Sequence, residues 1–137
     1  MATYVLTDAS VVVGTDISAW VKSVTVKLDK VAVDDTNMGD TTNINLAGLK
    51  NWSVSITCSQ DHAAGAPDAV MWAIYDSAAG TSSIVIKPTS GALSATNPSF
   101  TGTGLLTSYP AISGSVGAKS EVTYEFVPAG KDRKSVV

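Results

Sequence analysis

Apolar and polar residues alternate along most of this chain. The clearest case is Trp52, Val54, Ile56 and Cys58 set against Ser53, Ser55, Thr57 and Ser59. A period of two places one set on each face of an extended strand. Val24, Val26 and Leu28 alternate in the same way with Ser23, Thr25, Lys27 and Asp29, inside a strand read over residues 21–34. The phase then slips, because Val31 and Val33 carry the apolar set. That slip predicts a β-bulge near Asp29 and Lys30, and hence a bent strand. Further strands are expected at 82–89, where Pro88 marks an end or an edge, at 99–109 and at 121–127. In the last, Val122, Tyr124 and Phe126 share a face. Tyr4, Val5 and Leu6 with Val11, Val12 and Val13 read as a small hairpin around an Asp8/Ser10 turn. Asp16 or Ser18 can cap one helical turn that carries Ile17 and Trp20 inward.

One segment has the helical period instead. Pro67 suits a first helical position, and Asp68 suits the positive end of the dipole. Val70, Met71, Ile74, Tyr75 and Ala78 fall on one face, and Gly80 stops the helix. Trp72 lies opposite that face, which makes it a residue under a loop or at an interface.

Between the two longest strands lies a polar stretch, residues 34–48. It contains Asp34, Asp35, Thr36, Asn37, Met38, Gly39, Asp40, Thr41, Thr42, Asn43, Ile44, Asn45 and Leu46. It has turn residues, few apolar ones and no helical period. Loops of this length are uncommon in compact domains and are usually functional. The flanking strands are expected to pair antiparallel, so the loop would project from a hairpin. Met38, Ile44 and Leu46 could anchor it on a partner. The expectation is an intersubunit arm, mobile in a monomer and fixed by assembly.

Composition narrows the class. The chain has 137 residues, 45% apolar and 15% charged, which is globular composition. Hydroxyls fill the charge deficit, with 17 Ser and 15 Thr. The length fits one domain, read as residues 1–130 with a basic tail at 131–137. The net charge is −3. Setting aside Asp132 and the bases Lys131, Arg133 and Lys134 leaves 11 acids against 6 bases, so −5. An acidic body argues against a nucleic-acid clamp, yet it suits a surface past which DNA slides. A single cysteine rules out an intrachain disulfide. The reading is a protein made in a cytoplasm, with no signal peptide and no membrane insertion.

No catalytic set is evident. His62 is the only histidine and falls in a polar loop, where it reads as a surface residue. Cys58 is on the apolar face of its strand and reads as core. Asp34, Asp35 and Asp40 invite a calcium reading, but the spaced ligands and closing Glu of such a loop are missing. Gly102 and Gly104 lie in a strand pattern with no helix following, so close backbone approach or curvature is expected rather than a phosphate loop. Glu121 and Glu125 share one strand face and read as an acidic sheet surface rather than a hydrolytic pair. The expectation is a structural protein, not an enzyme, with no cofactor and no metal.

The order of features resembles the phage major tail tube family, related in architecture to type VI secretion tube proteins. The resemblance rests on Asp16-Ile17-Ser18, then on Asp35-Thr36-Asn37-Met38-Gly39-Asp40-Thr41 in the polar loop, then on Ala47-Gly48-Leu49-Lys50 leading into the strand from Trp52. Lys87-Pro88 after the helix and the closing Val122, Tyr124 and Phe126 complete it. It implies a mainly β fold, a small curved β-barrel or sandwich with one α-helix packed outside and a long β-hairpin loop. It also implies a virion protein, assembled in a host cytoplasm. Its subunits would form stacked, typically hexameric rings, joined to other tail proteins and conducting DNA without binding it specifically. A capsid decoration or head–tail joining protein is the nearest alternative. A carbohydrate-binding module, which would need exposed aromatics such as Trp52 and Trp72, is a third.

Overall fold

The computed structural model describes residues 9–94, 97–130 and 133–135. The strands are β1 (Ser10–Val13), β2 (Thr15–Asp16), β3 (Val21–Asp34), β4 (Asn45–Ser59), β5 (Thr81–Lys87), β6 (Ser99–Ser108), β7 (Glu121–Pro128) and β8 (Arg133–Ser135), with α1 (Pro67–Asp76) between β4 and β5. The fold is mainly β, with a single α-helix among the described residues. The expected hairpin of Tyr4, Val5 and Leu6 lies outside those residues.

Every strand pair is antiparallel, in the order β2-β1-β5-β6-β7-β4-β3, and β8 pairs with β6 off this path. Among the described residues the path is open at β2 and β3, so the sheet curls without closing into a hydrogen-bonded barrel. The curl is visible where Val26 and Leu28 of β3 line one groove with Ile84 and Ile86 of β5. One face of this bent sheet encloses the core, built on Val11, Val13, Ile56, Ile84, Val122 and Phe126, with Cys58 among them. Those residues fall at alternate strand positions, the pattern read in the sequence.

Two glycines permit the curl. A Cβ on Gly102 would lie 2.9 Å from Cζ2 of Trp52, whose ring crosses β6 there. A Cβ on Gly104 would lie 3.1 Å from Cβ of Phe126 and closer still to Ile84. Close approach is therefore their role.

α1 begins at Pro67 and buries Pro67, Met71 and Ile74. The helix ends earlier than expected, at Asp76 with an extended Ser77 as its C-cap, so Ala78 lies outside it and Gly80, with φ +65, turns the chain only beyond that end. Tyr75, expected inward with Ile74, is instead more than half exposed. It stacks on Tyr109 with ring centroids 5.6 Å apart.

Two boundaries differ from expectation. Asn45, Leu46, Ala47 and Gly48 are not loop residues but the start of β4. Asn45 pairs with Asp34, Leu46 with Val33 and Ala47 with Ala32. The cross-strand ladder overrides the polar, Asn-rich local sequence. The C-terminal stretch is not all free tail either, since Arg133, Lys134 and Ser135 pair with Thr101, Phe100 and Ser99. The Lys134 ammonium lies 5.9 Å from the centre of the Phe100 ring.

Candidate assembly surface

β3 and β4 run together far beyond the sheet. Between Lys27 and Asn51 every residue is exposed except Thr36 and Gly48, which are half-buried. The result is a two-stranded arm. Eight residues of β3 at ~3.4 Å each make it roughly 27 Å long. A lone two-stranded hairpin is marginal in water, because it buries too little apolar surface to offset the ordering of its backbone. Yet this arm carries Leu28, Val31, Val33, Ile44 and Leu46, each between 43% and 55% exposed, and Leu49 at 84%.

The arm changes character along its length because of one irregularity. Lys30 pairs with Lys50 and Ala32 with Ala47, so Val31 alone faces both Gly48 and Leu49. The bulge stands near the expected place, but the extra residue belongs to β4, not β3. The alternation of β3 therefore continues unbroken. Leu28, Lys30 and Ala32 keep the core-side face, while Val31 and Val33 point to the opposite one, joined there by Leu46. The apparent phase slip is a real change of apolar face.

The tip has its own hydrogen bonds. Asp35 N–H donates to the Ile44 carbonyl at 2.8 Å, and Ile44 N–H donates to Thr36 Oγ1 at 2.8 Å. Asp34 Oδ1 accepts from Thr36 N–H, which holds the Asp34 carboxyl below its usual pKa. Asp40 Oδ2 accepts from Asn37 N–H at 2.6 Å, and Gly39 turns with φ +99. Asp34 and Asp40 thus act as turn acceptors. Met38, Thr41, Thr42 and Asn43 stand exposed at the tip. The loop expected to be fixed only on assembly has local closure of its own.

The outward face of the body is coated with hydroxyls. Ser23, Thr25 and Lys27 of β3 pair with Thr57, Ser55 and Ser53 of β4, and these continue to Thr123 and Glu125 of β7. The Thr57 and Thr123 hydroxyls are 3.0 Å apart. Glu121 and Glu125 both lie on this face, opposite Ser59 and Ser55. Glu121 is paired with Lys22, whose hydrogen bond lowers its pKa. The acidic surface therefore rests mainly on Glu125.

Trp72 is 49% exposed and forms an aromatic shelf with Tyr75 and Tyr109, each 5.8 Å away by ring centroids. Asp68 is more than a dipole partner. It accepts the Tyr109 hydroxyl at 2.9 Å, and His62 Nδ1 lies 3.0 Å from its other oxygen. Burial and that hydrogen bond raise the Tyr109 pKa to about 12. Trp52 is buried, with Nε1 donating to the Gly130 carbonyl at 3.2 Å, so it offers no exposed ring. Desolvation raises the Cys58 thiol to about 11. Among the described residues no group of three or more His, Cys, Asp or Glu could hold a metal ion.

Sequence reasoning singled out the arm but missed the Lys30–Lys50 opposition, the shelf and β8. Each depends on pairing or packing between residues far apart in the chain. Only the clustering of Trp72 and Tyr75 one turn apart on α1 hinted at a shelf.

Neither a protein-family model nor a curated protein sequence matches the chain. Among solved structures, a chain in the virion of a native gene transfer agent particle superimposes with a TM-score of 0.78 at 16% identity, over 97% of this chain and 99% of that one. A chain in the tail of an empty gene transfer agent particle, solved with C6 symmetry, superimposes with a TM-score of 0.64 at 16% identity, over 83% of this chain and 81% of that one. The likeness is one of fold, across nearly the whole length.

Proposed function

We propose that this chain is the repeating structural subunit of a phage-type tail tube. Copies join into rings, rings stack, and DNA passes through the bore. The chain works by assembly rather than by catalysis. The observation that carries the reading is the arm: a two-stranded extension that exposes seven large apolar side chains on its strands and tip without a core of its own. A free monomer gains little by building it, whereas a neighbouring copy can bury it. The fold shared with chains of a virion and of a C6-symmetric tail supports the same reading, and sixfold symmetry is compatible with hexameric rings. The hydroxyl-coated outer face and a net charge of −3 suit a wall that DNA slides along without sticking.

Electron microscopy of the purified chain tests this. Tubes or stacked rings of uniform bore are expected, and a variant lacking residues 30–50, closed by a short turn, is expected to fold and stay monomeric. A parent protein that remains monomeric at high concentration, with tail nucleating proteins added, would sink the reading. Decoration of heads alone would favour the capsid alternative.

A further inference from the structure

Charge on the arm is divided by position. Lys30 and Lys50 stand directly opposite each other on the core-side face. Among the described residues neither has an ion-pair partner within 4 Å, whereas nearby Lys27 reaches Asp29 at 3.9 Å. Like charges directly opposed across a ladder are destabilising. Asp29, which lines the same open groove, is 3.9 Å from Lys27, and among the described residues no ion pair offsets the two lysines. The tip has the opposite sign. Asp34, Asp35 and Asp40 lie there with no Lys or Arg between residues 31 and 49.

The two regions do not meet within one arm: no ion pair joins them among the described residues. Three residues of β3, Val31, Ala32 and Val33, separate Lys30 from Asp34, a backbone span of roughly 13 Å. A second copy can bring them together. From this we infer that the acidic tip of one arm docks on the Lys30–Lys50 pair of the arm of a neighbouring copy.

This inference rests on the assembly reading and names its chemistry. Tip to mid-arm is a heterologous contact, with different patches on the two partners. Made in one direction between successive copies, such a contact propagates around a ring or along a filament, whereas made reciprocally between two arms it would close a dimer. The apolar residues Val31, Val33 and Leu46 lie on the other face of the arm, so the charge contact fixes register while leaving them to be buried separately.

Two charge variants of the full chain test it. The first combines Lys30→Glu and Lys50→Glu. The second combines Asp34→Asn, Asp35→Lys and Asp40→Asn, which keeps side-chain acceptors for the Thr36 and Asn37 amides. Each variant alone juxtaposes like charges, so the concentration needed for assembly should rise roughly tenfold or more. An equimolar mixture makes both contacts attractive again in alternation, and assembly should return near the parent concentration. Light scattering and electron microscopy read assembly, and circular dichroism confirms that each variant is folded. Variants that assemble like the parent would overturn the inference and leave the tube reading intact. So would folded variants whose mixture stays dispersed. A parent that does not assemble would overturn the tube reading itself, and the inference with it.

Discussion

Gly48 lies against the backbone of Val31. A Cβ built on Gly48 would be 2.8 Å from the Val31 carbonyl oxygen and 3.2 Å from Val31 Cβ and Val33 Cγ2. Glycine is needed there because two residues of β4 crowd against one of β3. The bulge in turn puts Leu46 on the face of the arm that carries Val33.

Gly48→Ala is therefore expected to pry the ladder apart at the bulge. The clash is with backbone, which cannot rotate away. Amide exchange in residues 31–34 and 45–49 should accelerate by roughly tenfold or more. The melting temperature should stay within about 2 °C of the parent, because the arm adds nothing to the core. A parallel fall in global stability would show that arm and body unfold as one unit, contrary to this account.

Gly102→Ala tests the body instead. The new methyl would meet the Trp52 ring, which the Nε1 hydrogen bond to Gly130 holds in place. Overpacking of this kind costs about 1–3 kcal/mol. Urea unfolding should report a loss in that range, and an unchanged midpoint would mean that the ring moves aside freely.

Alkaline pH should weaken the fold. Burial raises the pKa of Cys58 from 9.0 to about 11 and that of Tyr109 from 10.0 to about 12, and it also raises that of Tyr124. The unfolded chain releases these protons earlier than the folded one. Their contribution is thus fully present below pH 9 and is lost as pH rises through 9–11 for Cys58 and 10–12 for Tyr109. Denaturation midpoints measured at pH 8 and pH 11 should differ, and Cys58→Ala should shrink the difference. Tyr124→Phe adds a second check. The Tyr124 hydroxyl is buried without a hydrogen-bond partner among the described residues. Its removal should stabilise the protein at neutral pH by about 1 kcal/mol. A loss of more than about that amount would mean that the hydroxyl has a partner.

What was legible along the chain is what local periodicity dictates. The strands around Val24, Ile56, Ile84 and Tyr124 announce themselves by alternation, because each has one face in the core and one in water. The helix start at Pro67 was legible from backbone geometry alone, whereas its end at Asp76 and Ser77 falls short of the expected stop at Gly80. The arm was visible as a polar interruption between two strands, and Cys58 as a core residue by its phase.

Tertiary structure decided the rest, and for one reason: strand pairing brings together residues that no local pattern links. Asn45 and Leu46 looked like loop and became strand because Asp34 and Val33 pair with them. The slip at Val31 looked like a bulge in its own strand, but the extra residue is Gly48 or Leu49 on the partner. Tyr75 followed the helical apolar face in sequence, yet stacking on Tyr109 holds it half in solvent. Lys30 and Lys50 are twenty positions apart, and only the register of the ladder sets them face to face. The sequence by itself therefore determined a β protein with one helix and a protruding arm. Pairing register decided what each face of that arm presents to a neighbour.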